Sequence, residues 1–200
     1  MKEFGSPRPP RTKHRDDAWR HLLDLRGTKL YPLSMTEETA KGLCDYLLPQ
    51  LQQEFATTRN VLAAVPAEHC DYKPSEKCMT GLELASHIAL AEAFFLRGVI
   101  NGAFEWKQLE LKTPAEVLAY YDETVPPLLA QVASLPAAKL AQDVTFAKGT
   151  RPAVTFLSLD MSHGIHHRGQ LSAYLRPMGA KVPSIYGPSA DEPLQAAASE

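Results

Sequence analysis

Three histidines fall within five positions of LDMSHGIHHRGQLSAY, residues 159–174, at His163, His166 and His167. Imidazoles at this density can ligate a metal, move protons, or decorate a solvated face. The apolar residues around them decide which way each ring points. At about 100° per residue, with His163 at zero, Phe156, Leu159, Leu171 and Tyr174 define an apolar stripe centred at about 40°. His167 lies at about 40° and Gln170 at about −20°, so both point inward with His163, whereas His166 at about −60° lies on the edge. The spacing of four stacks His163 and His167 one turn apart on one face, which is how a single helix offers two imidazoles to one ion.

A lone histidine on an apolar stripe is more often a hydrogen-bonded core residue than a ligand. Two neutral imidazoles buried side by side, however, need partners or a shared cation. His87, in LELASHIALAEAFF, is the candidate third: Leu84, Ala91 and Phe94 share its face, and small Ala91 leaves room beside it. Three imidazoles from two helices, with one coordination position open, suit zinc, nickel or iron(II). An open position permits activation of a water or a thiol.

Other polar residues are weighed by the same angles. Glu83 is the one carboxylate of the His87 helix aimed near the site, with a plain surface charge as the competing role, while Glu92 points away from it. Asp160, at about 60°, reads first as a plain helix-end charge, the competing role being to accept a proton from a ligating imidazole and fix its tautomer. Gln170 and Tyr174 face the open side, with core packing as the competing role for Tyr174, and Arg168, facing away, is expected to make a structural ion pair. His14, His21 and His69 have no such context and are expected at the surface. Phosphate loops, nucleophile elbows and strand-based cofactor fingerprints are missing from the sequence.

The elements that must position these residues read as helices. Apolar residues at spacings of three and four predict helices over about residues 36–65, 80–101, 113–135 and 152–176. Pro49 is expected to kink the first helix, and Pro126 and Pro127 to bend or break the third. Between the third and fourth, DVTFA is the one short strand expected. The pattern predicts an all-α fold, a four-helix bundle, in which sites are built from inward-facing side chains on facing helices. Tyr186, Ser189 and Asp191, in a proline- and glycine-rich tail, are expected to form a structural clasp.

Two hundred residues, 44% of them apolar, suffice for one domain with a sizeable core. Residues 1–34 carry eight Lys/Arg against four Asp/Glu and read as a flexible basic leader, with Met35 as a possible native start. The remaining 13 basic and 19 acidic residues leave a mildly acidic body, which argues against nucleic acid and anionic membranes as partners. Cys44, Cys70 and Cys78 lack metal or disulfide spacing and read as reduced cytoplasmic thiols. No run is apolar enough for a transmembrane helix or a signal peptide.

SHIALAE, HGIHHRGQLSAYLRPMG and VPSIYGPSADE together resemble the DinB superfamily, the DinB/YfiT-like metalloenzymes, over about residues 35–194, leaving 195–200 as a disordered tail. The resemblance implies a bundle of up-down-down-up connectivity and a homodimer. It also implies a divalent metal held by one histidine of the second helix and an HxxxH pair of the fourth, which here are His87, His163 and His167. His166 becomes a neighbour of the site, behind the ligands or at a subunit surface. The implied activity is that of a metal-dependent thiol S-transferase or a hydrolase-like metalloenzyme, with a small-molecule substrate and a low-molecular-weight thiol as cosubstrate. The maleylpyruvate isomerase branch is disfavoured, since it has a carboxylate where this chain has His163. The alternative is a non-catalytic metal-binding protein of the stress or damage response, acting through binding or dimerisation.

Overall fold

A computed structural model describes residues 35–106, 109–147 and 149–193. The expected leader over 1–34 and the tail over 195–200 lie outside the described residues. The chain is mostly helical: α1 (Glu37–Ala63), α2 (Gly81–Asn101), α3 (Pro114–Ala133), α4 (Ala137–Ala141) and α5 (Thr155–Leu175), with strands β1 (Asp143–Phe146) and β2 (Gly149–Pro152) between α4 and α5.

Three of the long helices start where side chains satisfy their orphan amides. The Thr36 hydroxyl accepts from the Thr39 amide, Thr80 and Glu83 form a reciprocal capping box, and Thr113 caps a helix whose first residue is Pro114. Gly102, at φ 70°, ends α2 in the left-handed conformation that glycine tolerates best.

None of the internal prolines breaks its helix. α1 runs on past Pro49, and α3 is one helix from Pro114 to Ala133 with Pro126 and Pro127 inside it. Each proline costs a backbone hydrogen bond, but Tyr121, Val125, Leu128 and Val132 are buried on both sides of the pair and hold the helix to the core. DVTFA is a strand, and it has a partner that its sequence did not announce. β1 pairs antiparallel with β2, Asp143 opposite Pro152 and Phe146 opposite Gly149. The partner reads GTRP, with no alternation to reveal it.

α2 packs on α3 and α5, and α1 packs on the same two helices. Their inward faces share one core, in which Leu51, Leu62, Leu84, Ile88, Leu96, Phe156, Leu157 and Leu171 are buried. Each such side chain contributes about 1.5–3 kcal/mol of transfer free energy. The contact of α2 with α5 brings His87 to the HxxxH helix. After α5 the chain folds back: Asp191 accepts from the Val182 amide and from Arg176, and the Ser189 hydroxyl donates to the Val182 carbonyl. The expected clasp is therefore formed by internal hydrogen bonds. No helix among the described residues is long and apolar enough to cross a membrane.

Candidate metal centre

His87, in the second turn of α2, meets His163 and His167 from the middle of α5. The Nε2 atom of His87 lies 3.2 Å from that of His163 and 3.3 Å from that of His167. The candidate ligand atoms of all three residues lie within 4.8 Å of one another. The rings are half-buried and present edges to one another, with His87 and His167 at 83° and 4.5 Å between centroids. Phe95 covers His163 from the apolar side at 5.6 Å.

Hydrogen bonding alone does not satisfy this cluster. Nδ1 of His167 lies 2.8 Å from Gln170 Oε1, which can only accept, so Nδ1 carries the proton and Nε2 the lone pair of a neutral ring. One proton on Nε2 of His87 cannot be aimed at both neighbours. A cation facing three lone pairs resolves the conflict. Nitrogens about 2.0–2.1 Å from a tetrahedral zinc ion stand about 3.3 Å apart, close to both contacts above. The donor set and its spacing thus fit a divalent ion.

The electrostatics favour the neutral, ligating form. Burial, with the nearby His167, lowers the pKa of His87. Burial lowers that of His163 to about 4, assisted by His167, His87 and His166. Imidazoles that resist protonation keep their lone pairs available at neutral pH.

The remaining expectations divide. Gln170 is at the site, but on the outer nitrogen of His167, where it fixes the tautomer rather than lining the open side. His166 is exposed, with its ring 4.8 Å from that of His167. Glu83 is not brought to the site: it closes the capping box of α2, accepting from the Thr80 amide at 2.7 Å. Asp160 bonds no imidazole. It is fully buried, and neither of its oxygens has a hydrogen-bond partner among the described residues. Burial raises its pKa well above the usual carboxylate range, reinforced by Glu92.

Glu92 is the residue the angles missed. Pointing away from His87 means pointing into the core, where Glu92 is fully buried and accepts from the Tyr121 hydroxyl. Its environment was written in the sequence, since the residues three and four positions away on either side, Ile88, Ala89, Phe95 and Leu96, are all apolar. Gly164 makes the room: a Cβ there would lie 2.9 Å from Glu92 Oε1. Burial pushes the Glu92 carboxyl up to about 8, partly offset by Tyr121 and Arg168. Glu92 and Asp160 are thus two buried carboxyls whose pKa values lie above the usual carboxylate range.

A carboxyl whose pKa rises on folding supports the native state fully below its unfolded value. That contribution is lost as pH climbs from about 4.3, the unfolded value, towards about 8. Glu92→Gln keeps an acceptor for Tyr121 and cannot ionise. Its stability relative to the parent is expected to rise by about 3–4 kcal/mol between pH 5 and pH 8. Urea melts of both proteins across that range check this, and parallel stability profiles would contradict it.

Arg168, expected in an ion pair, makes one while 1% exposed. Its guanidinium donates to the Glu54 carboxylate at 2.6 Å, the Glu54 carbonyl at 3.0 Å, the Thr58 hydroxyl at 3.3 Å and the Tyr186 hydroxyl at 2.5 Å. It thus ties the clasp to α1 and α5.

The comparisons with known proteins bear on the family and the fold. Residues 35–197 match the model of the DinB family. Over 142 residues the chain is 32% identical to the uncharacterized protein YjoA of Bacillus subtilis strain 168, covering 65% of this chain and 90% of that protein. The crystal structure of YjoA, described as a DinB-like protein, superposes with a TM-score of 0.60 at 24% identity, covering 70% of this chain and 97% of that one. A DinB-like protein from Bacillus cereus ATCC 10987 gives 0.62 at 22% identity, covering 70% and 95%. These two likenesses establish a shared fold.

Proposed function

The chain belongs to the DinB family, and from that premise we propose that His87, His163 and His167 hold a divalent metal ion at which a low-molecular-weight thiol is activated to attack an electrophile. The observation that carries the reading is the convergence of three imidazole Nε2 atoms from two helices. When bound, the ion supplies Lewis-acid polarisation, which lowers the pKa of an entering thiol towards neutrality.

The protein's own groups do the rest. α2 and α5 fix the imidazoles, and Gln170 holds the His167 ring in the tautomer that leaves Nε2 free to ligate. Phe95 keeps one side of His163 dry, strengthening the electrostatics of that face. Among the described residues a fourth protein ligand is not at hand, since Glu83 is committed to its cap, His166 is exposed and Asp160 bonds no histidine. This favours an open, catalytic position over a closed structural one.

The associated fold reading is a four-helix bundle of up-down-down-up connectivity over residues 35–194, supported by the packing of both α1 and α2 on α3 and α5. A cytoplasmic homodimer that turns over a small-molecule substrate completes the proposal.

The test is turnover. Protein reconstituted with zinc, nickel or iron(II) in separate preparations is assayed with several small thiols and an aryl chloride. A sulfur–carbon bond forms, chloride leaves, and the thiol proton passes to solvent. At least one metal is expected to support thioether formation that falls about tenfold or more on chelation. Turnover unchanged after complete metal removal would contradict the mechanism. Full metal loading with no turnover would favour a binding role in a stress response.

A further inference from the structure

His87 begins a stripe on α2 whose next members are Leu90, Phe94 and Arg97, at spacings of three and four, and all of them are half-buried. A helix stripe open to water ordinarily carries polar side chains. Here Leu90 and Phe94 occupy it and form the floor of a cavity of about 270 Å³, walled by Trp106, Leu109 and Tyr120. Trp106 and Leu109 remain 53% and 44% exposed, and the Phe94 and Trp106 rings stand 5.5 Å apart. This is apolar surface turned towards an open space.

Arg97 lies at the far end of the stripe, about 15 Å along the helix from His87 at 1.5 Å per residue. It donates to the Tyr120 hydroxyl at 3.1 Å, which orients the guanidinium. Among the described residues it has no ion pair. The acidic lining residue, Glu105, is exposed at the rim and does not pair with it. A half-buried guanidinium held by one neutral partner retains a planar fork of donors suited to a carboxylate.

We propose that this trough binds an organic carboxylate with an aromatic or flat apolar body. Arg97 takes the carboxylate, Phe94 and Trp106 hold the body, and the opposite end of the ligand reaches the histidines. As an assignment of substrate class, this rests on the metal-centre reading above. The trough itself is built from residues that the centre does not use.

The test exploits the two tryptophans of the chain, Trp19 and Trp106. In a Trp19→Phe background, Trp106 is the sole indole and reports from the cavity wall. Zinc-loaded protein is titrated with 4-phenylbutanoate and, separately, with 4-phenylbutanol, the same body without the charge. The expected result is a saturable change in Trp106 fluorescence, with the acid binding about tenfold or more tightly than the alcohol. Arg97→Gln is expected to erase that preference without changing metal content, and Arg97→Lys to restore part of it. The same titration on His163→Ala separates the two readings, because acid-selective binding there requires the trough and not the ion. No saturation, equal affinity for acid and alcohol in the parent, or a preference that survives Arg97→Gln would overturn the proposal. The comparison of acid with alcohol needs no Arg97 variant, so misfolding of a variant does not shield it.

Discussion

Replacing His163 with alanine is expected to weaken binding of a divalent ion by about a hundredfold or more, while the helical content of the protein is retained. Three imidazoles converge on one point, and removing His163 leaves two ligands on separate helices, with no other residue in the converging set among the described residues. Even loss of a group that only orients a ligand typically costs about 10–100-fold, so loss of a ligand should cost at least as much. His163 carries little of the core, being half-buried on α5 and outside the apolar cluster, so the fold should survive the change. His166→Ala is the matched control: its ring is exposed and outside the converging set, and affinity is expected to stay within about twofold. Competition titration with a chromophoric chelator measures both. Equal losses in the two variants, or none in either, would contradict the assignment.

Arg168→Ala is expected to destabilise the fold by about 3–5 kcal/mol, the range for removing one partner of a buried ion pair. The guanidinium is almost wholly buried and serves four acceptors. Its removal leaves the Glu54 carboxylate, itself only 17% exposed, without its cation and with the Tyr186 hydroxyl as its remaining side-chain donor, and takes a donor from the Glu54 carbonyl and the Thr58 hydroxyl. The arginine also lies over the Tyr186 ring at 5.2 Å, so the clasp loses its anchor. Lysine keeps the charge but not the fork and is expected to recover less than half of the loss. Denaturant unfolding gives the magnitude, and hydrogen exchange over residues 182–192 gives the location. A loss under about 1 kcal/mol, with unchanged exchange there, would mean that the network is ornamental.

The convergence of the three histidines was legible in the sequence because it depends on periodicity. His163 and His167 lie on the apolar stripe of one helix and His87 on that of another, and packing α2 against α5 is enough to bring the three together. The acidic pair was not legible by the same route. Glu92 was excluded because only its angle to His87 was considered, although every neighbour three or four positions away is apolar and signals burial. Asp160, weighed between a helix-end charge and an imidazole partner, is neither, being fully buried and bonding no imidazole. Angles around one helix axis do not reveal which neighbouring helix fills the opposite groove, and Gly164 opens that groove to Glu92. Pro126 and Pro127 carry a real local cost, but the helix does not break there, because core residues on both sides outweigh it. β2 was missed because pairing in a short hairpin is set by backbone register and not by side-chain pattern.

The most direct test of the central claim is X-ray absorption on the zinc-reconstituted protein, with elemental analysis of the same sample. The account predicts one ion per chain, with imidazole scattering from three histidines at about 2.0–2.1 Å, and loss of that signal in His163→Ala. Sulfur scattering at about 2.3 Å, or an unchanged spectrum in the variant, would place the metal elsewhere and contradict the assignment of His87, His163 and His167.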